Sequence, residues 1–241
     1  MIRSHFISAW LSGGKFYMKS QLYVECEDYD IKSLWLNFDS CAGLHEAADF
    51  PLIPFDDSRK ECWEYINKAC EIVGRPPGRP GWALNTEDAQ KVYSAIGEPP
   101  FASYSIYMIT VSGSGREEET PVYVGQTNSI NHRFRGGHAA ISKLHAPKYD
   151  GKEKRIYFGC VSAVNDDDNT FPVEWINPPE SRDKLLSSVE YQLIYDLQPE
   201  LNTTGKDKYL VPIPTPIVVQ NMVGKILDAQ SFGPPEISDE E

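Results

Sequence analysis

A chain of 241 residues, 41% of them apolar, is long enough for one large domain or one domain with a sizeable extension, and apolar enough to bury a real core. Its formal charge of −12 speaks against gripping nucleic acid through the overall field, and its longest apolar stretches, such as residues 106–109, fall well short of the ~20 residues a membrane span needs. Five scattered cysteines without a C-x₂-C pair fit reduced thiols better than disulfides or zinc, and with no secretory leader pattern the expected setting is cytoplasmic.

Residues 21–25 are expected to form a short strand. A helix follows over 58–73, where Ser58-x-x-Glu61 has the form of a capping box and Cys62, Trp63, Ile66, Cys70 and Val73 recur at helical spacing. The glycines and prolines of 74–81 stop it. A second helix over 86–96 turns Ala89, Val92 and Ile96 inward, and Pro99-Pro100 closes the section. Residues 104–111 are apolar on both alternating faces, which suits a central strand covered on both sides. A polar turn over 112–120 and a hairpin partner over 121–125 come next. A helix from about Ser129, a strand near 155–163 and an acidic loop at Asp166-Asp167-Asp168 follow. The next helix, over 181–197, carries Leu185, Val189, Leu193 and Leu197 in one i,i+4 row and ends at Pro199. A short helix near 218–227 precedes an acidic end expected to be disordered. The central order is β-β-α-β-α.

Charge is uneven along the chain. Residues 1–102 carry 10 basic and 15 acidic side chains, residues 103–206 carry 11 and 14, and residues 207–241 carry 2 and 6. The middle section is therefore only −3, which leaves room for a local basic groove.

That middle section holds an ordered set of polar groups. Ser105-Ile106-Tyr107 lies on the first strand and Tyr123-Val124-Gly125-Gln126-Thr127-Asn128 on the second. Arg133 stands six residues after Thr127, and His138 five after Arg133. Glu190 interrupts an apolar helix row between Leu186 and Ile194, where an unpartnered charge is costly. Pro199-Glu200-Leu201-Asn202 closes the set. In this order the segments resemble the motifs of the GIY-YIG nucleases, over about a hundred residues.

The resemblance implies an α/β (α+β) fold with a small three-stranded antiparallel sheet flanked by helices, occupying 103–206. Residues 1–102 are then an extension with DNA-recognition or dimerisation elements, and residues 207–241 a C-terminal extension. It implies a metal-dependent DNA endonuclease, and the placing of the motifs between two extensions favours a type II restriction enzyme. Tyr107 would help to deprotonate the attacking water, and Tyr123 would bind the water or the phosphate. Arg133 would stabilise the transition state. His138 shares the catalytic set, although its step is one longer than usual and Gly136-Gly137 must break the helix to let it swing back. Glu190 would hold Mg²⁺ (or Mn²⁺). Asn202 would hold the phosphate or pin its loop near Glu190.

Double-stranded DNA is the implied partner, with room for a homodimer and no membrane. Arg135, Lys143, Lys148 and Lys154, together with Lys152 and Arg155, are candidates for the DNA backbone. Arg75 and Arg79, with Trp82, are candidates for its bases. Two departures stand out: Ser105 replaces the first motif glycine, and fifteen residues separate Tyr107 from Tyr123. A non-catalytic binding module, a homing or repair nuclease, and an RNA-directed nuclease remain as other readings.

Overall fold

Residues 103–111 are buried without a break, so the strand they form is covered on both faces. The structure is a computed structural model that describes residues 6–13, 24–25, 31–50, 52–76, 84–100, 103–113, 118–127, 134, 137–166, 168, 170–208, 210–211 and 215–233. Two short elements come first in the chain, helix α1 (Phe6–Leu11) and strand β1 (Val24–Glu25). The buried strand is β3 (Ile106–Ser112). It runs antiparallel to β4 (Thr120–Gln126) on one side and to β5 (Glu153–Asn165) on the other.

The sheet continues beyond these three. Strand β2 (Ile31–Gly43) lies antiparallel along the second edge of β5, and β8 (Ile217–Asn221) runs parallel to β2. Strand β9 (Ser231–Phe232) pairs with β8, and β6 (Thr170–Pro172) pairs with the far end of β5. The result is a seven-stranded mixed sheet of order β4-β3-β5-β2-β8-β9, with β6 off this path on β5, curled into a half-barrel. The small three-stranded sheet expected above is thereby corrected. With three strands, the second edge of β5 would be left as an unpaired row of backbone groups. Here β2 and β8, from the two flanks of the chain, fill that side. Leu34, Leu36 and Phe38 alternate at period two into the apolar core, and the polar Asn37 and Asp39 between them are buried as well. The segment near 218–227 likewise gives strand β8, not a helix, because Ile217, Val218 and Val219 are β-branched. β1 and β7 (Ile176–Asn177) form a separate parallel pair.

The pleat of β3 divides the apolar residues between two cores. Ile106 and Met108 face one, with side chains from α1, α2 (Phe55–Ile72), α3 (Thr86–Ile96) and α5 (Pro179–Leu197). Tyr107, Ile109 and Val111 face the other. It is closed by Ala47, by Phe50 stacked 3.9 Å from Phe158, and by Ala140 and Leu144 of the short helix α4 (Ala139–Lys143) and the turn after it.

Helix α3 has the expected bounds, and its Asn85 cap accepts from the Asp88 N–H at 2.8 Å. Helix α2 starts three residues earlier than expected. Pro54 precedes it, and Ser58 is no cap: its buried hydroxyl donates to the Glu174 carboxylate at 3.2 Å. The helix expected from Ser129 falls mostly on residues outside the described set, and the described helix there is the five-residue α4. No described helix is long and apolar enough to cross a membrane.

Candidate active site

The β3–β4 register sets Tyr107 opposite Gly125 and Ile109 opposite Tyr123, so both tyrosines lie on one face of the sheet. Their rings stack with centroids 5.9 Å apart at 28°. The glycine between them is a packing requirement. A Cβ on Gly125 would lie 2.5 Å from Tyr107 Cζ and 2.8 Å from Tyr123 Cε1. Phe134 meets Tyr107 edge-on at 5.1 Å and completes the wall around the fully buried phenol.

His138 reaches this pair from the residue that follows Gly137. It precedes α4 with extended backbone (φ −126°, ψ 125°), so the helix begins after it and its ring turns back towards the sheet. The imidazole stands edge-on to Tyr123, with centroids 5.2 Å apart. Its Nε2 lies 2.9 Å from the Tyr107 hydroxyl. One proton on that line is shared by a buried phenol and an imidazole at the cleft.

Strand β4 is an end strand of the sheet, and its outer edge is closed by Glu190 of α5 and by the turn that follows the helix. Leu201 N–H donates to the Val122 carbonyl at 2.8 Å. The Asn202 side chain then imitates a strand neighbour. Its Oδ1 accepts from Val124 N–H at 2.9 Å and its Nδ2 donates to the Val124 carbonyl at 2.8 Å. Two residues further, the Gln126 N–H donates to Glu190 Oε1 at 3.2 Å. These contacts hold the carboxylate and the Asn202 turn against the strand that carries Tyr123 and Gly125. Both polar atoms of the Asn202 amide are thus engaged on β4. Gln126 was not singled out in the sequence, although it directly follows the motif glycine. Its side-chain Oε1 also accepts from Ser187 Oγ at 3.4 Å.

A cleft of about 460 Å³ opens where these elements meet, lined among others by Tyr123, His138, Lys143, Glu190, Tyr191 and Asn202. Tyr107 lies behind the lining and communicates with the cleft through His138. Lys143 is the only one of the candidate lysines on the lining among the described residues. Lys148 pairs with Glu200, and this ammonium holds the Glu200 carboxyl below the usual carboxylate range. Lys154 donates to the Tyr149 carbonyl at 2.8 Å, and Arg155 pairs with Glu153 at 2.8 Å. Arg75 pairs with Asp88 at 3.4 Å, between the end of α2 and the start of α3. Arg79, Trp82, Arg133 and Arg135 lie outside the described residues.

Among the described residues no group of three His, Cys, Asp or Glu side chains gathers into a metal cage. A cation in the cleft would rest on the Glu190 carboxylate, with water and substrate oxygens completing its shell. That donor set suits a hard ion such as Mg²⁺. No family model, no curated protein and no solved structure matches this chain.

Proposed function

We propose that this chain is a metal-dependent endonuclease that hydrolyses phosphodiester bonds of double-stranded DNA with the catalytic set of the GIY-YIG nucleases. Within that group we assign it to the sequence-specific type II restriction enzymes. The observation that carries the reading is convergence. Tyr107, Tyr123, His138, Glu190 and Asn202 are spread over 96 positions of sequence and come together in and behind one cleft. The restriction assignment is supported by the position of the motifs between long flanks.

Hydrolysis bonds a water oxygen to phosphorus, breaks the bond to the leaving sugar oxygen, and requires a home for the water's proton. The Tyr107–His138 pair takes that proton, with the phenol held in place by Gly125 and Phe134. Tyr123, half-buried at the cleft, orients the water or a phosphoryl oxygen through its hydroxyl. Lys143 and Arg133 bind the phosphate, the arginine through its planar fork. When bound at Glu190, Mg²⁺ (or Mn²⁺) supplies charge neutralisation on the phosphoryl oxygens.

The test is incubation of the purified chain with plasmid and phage DNA in Mg²⁺. Discrete fragments are expected. Intact DNA in both Mg²⁺ and Mn²⁺ would overturn the reading, and binding without cutting would point to a non-catalytic module.

A further inference from the structure

Helix α4 separates the cleft from a second hollow. Ala140 and Lys143 line the cleft, whereas Ile141 and His145, four residues apart, line a space of about 400 Å³ on another face of the same short segment. The hollow is floored by Leu44 and Ile141 and rimmed by His45, His145, Lys152 and Lys154. Gly43 makes room for this arrangement. A Cβ there would lie 2.6 Å from His45 Cε1, so the glycine leaves room for this position of the imidazole.

The rim is positive in an acidic protein. Of the carboxylates beside it, Glu153 accepts two N–H bonds from Arg155, at 3.0 and 2.8 Å, and Glu46 lies 4.0 Å from the His45 imidazole. Lys154 is held by the Tyr149 carbonyl at 2.8 Å, which fixes the ammonium without cancelling its charge. Lys152 is exposed. Two cations and two imidazoles around an apolar floor, beside a cleft read as a phosphodiester site, complement a polyanion that continues past α4.

We propose that this hollow is a docking subsite for the sugar-phosphate backbone of duplex DNA, taking phosphates that flank the one in the cleft. The proposal rests on the nuclease reading of the cleft. A helix with its side chains is about 10 Å across, and one strand of duplex advances about 3.4 Å per nucleotide. Where the duplex axis runs across α4, that separation corresponds to roughly three nucleotides from the cut.

The experiment is a fluorescence anisotropy titration of duplex DNA, in Ca²⁺ to prevent cutting, at several salt concentrations. It compares the wild type with the triple variant His45→Ala, His145→Ala, Lys152→Ala and with the single reversal Lys152→Glu; circular dichroism checks that each is folded. Lys154 is left in place because it anchors the Tyr149 carbonyl. The triple variant is expected to bind about five- to tenfold more weakly. The slope of log K against log salt should fall by roughly one unit for each phosphate that is no longer neutralised. A single methylphosphonate placed two to four nucleotides from the mapped cut should weaken the wild type and leave the triple variant unaffected. A wild type that cuts DNA alongside variants with unchanged Kd and salt slope would overturn the subsite and leave the nuclease reading standing. A wild type that neither binds nor cuts would overturn both. Variants that bind DNA normally and lose affinity for poly-glutamate would make the hollow an acidic-peptide site instead.

Discussion

The amide of Asn202 offers a sharp perturbation because one side chain closes two backbone groups of a buried strand. Val124 is fully buried, and Asn202→Ala removes both the acceptor for its N–H and the donor to its carbonyl. A buried backbone group left without its partner costs about 1–3 kcal/mol. Two such groups set an upper range of roughly 2–6 kcal/mol, and because Asn202 lines the cleft, entering water relieves part of it. A destabilisation of roughly 2–4 kcal/mol follows, which for a chain of this size lowers Tm by about 4–16 °C. Asn202→Asp should also destabilise, since it keeps the acceptor but sets a carboxylate against the Val124 carbonyl. Calorimetry and urea unfolding read the effect directly. A Tm within about 2 °C of wild type, less than the smallest shift expected, combined with weakened DNA binding, would refute the clamp and make Asn202 a phosphate ligand.

Gly125→Ala forces the Tyr107 and Tyr123 rings apart, so it should cost about 1–3 kcal/mol and abolish cutting, measured by urea unfolding and plasmid cleavage. Tyr107→Phe keeps the ring in the core and removes only the hydroxyl facing His138; cutting should disappear with a stability change near 1 kcal/mol, and retention of more than a tenth of the activity would remove Tyr107 from the proton path. Glu174 is fully buried, and burial pushes its carboxyl up to about 7. A raised carboxyl contributes most to stability while protonated, so this contribution falls by roughly 3 kcal/mol as pH rises from about 4.5 to 7. Glu174→Gln should remove that slope and melt higher than wild type at pH 8, as pH-dependent calorimetry would record.

The hairpin and the last helix of the middle section were legible because local signals agreed there. The apolar run of β3, the polar turn after it and the i,i+4 leucine row of α5 each have one physical reading. Gly125 was visible as part of a motif, and its purpose became clear only with the Tyr107 ring beside it. Strand β2 was missed, although Leu34, Leu36 and Phe38 alternate at period two, because its pairing partner β5 lies more than a hundred residues away. The same distance misled at Ser58. A serine three residues before a glutamate has the form of a cap, but its hydroxyl serves a carboxylate 116 positions on. Sequence spacing placed Glu190 and Asn202 in the candidate site. It did not show that they engage the outer edge of β4, because a strand edge is a property of the assembled sheet.

The central claim is that Glu190 serves the cleft as a charge, beyond its hydrogen bond to β4. Glu190→Gln separates the two roles, since the amide oxygen can still accept from the Gln126 N–H while the negative charge is gone. Single-turnover cleavage of a mapped duplex in Mg²⁺, run beside binding of the same duplex in Ca²⁺, measures both. The variant is expected to keep the wild-type melting temperature, bind DNA and cut it about a thousandfold more slowly, on the order of the largest effects seen when one transition-state stabiliser is removed. Cutting within tenfold of wild type would contradict the claim.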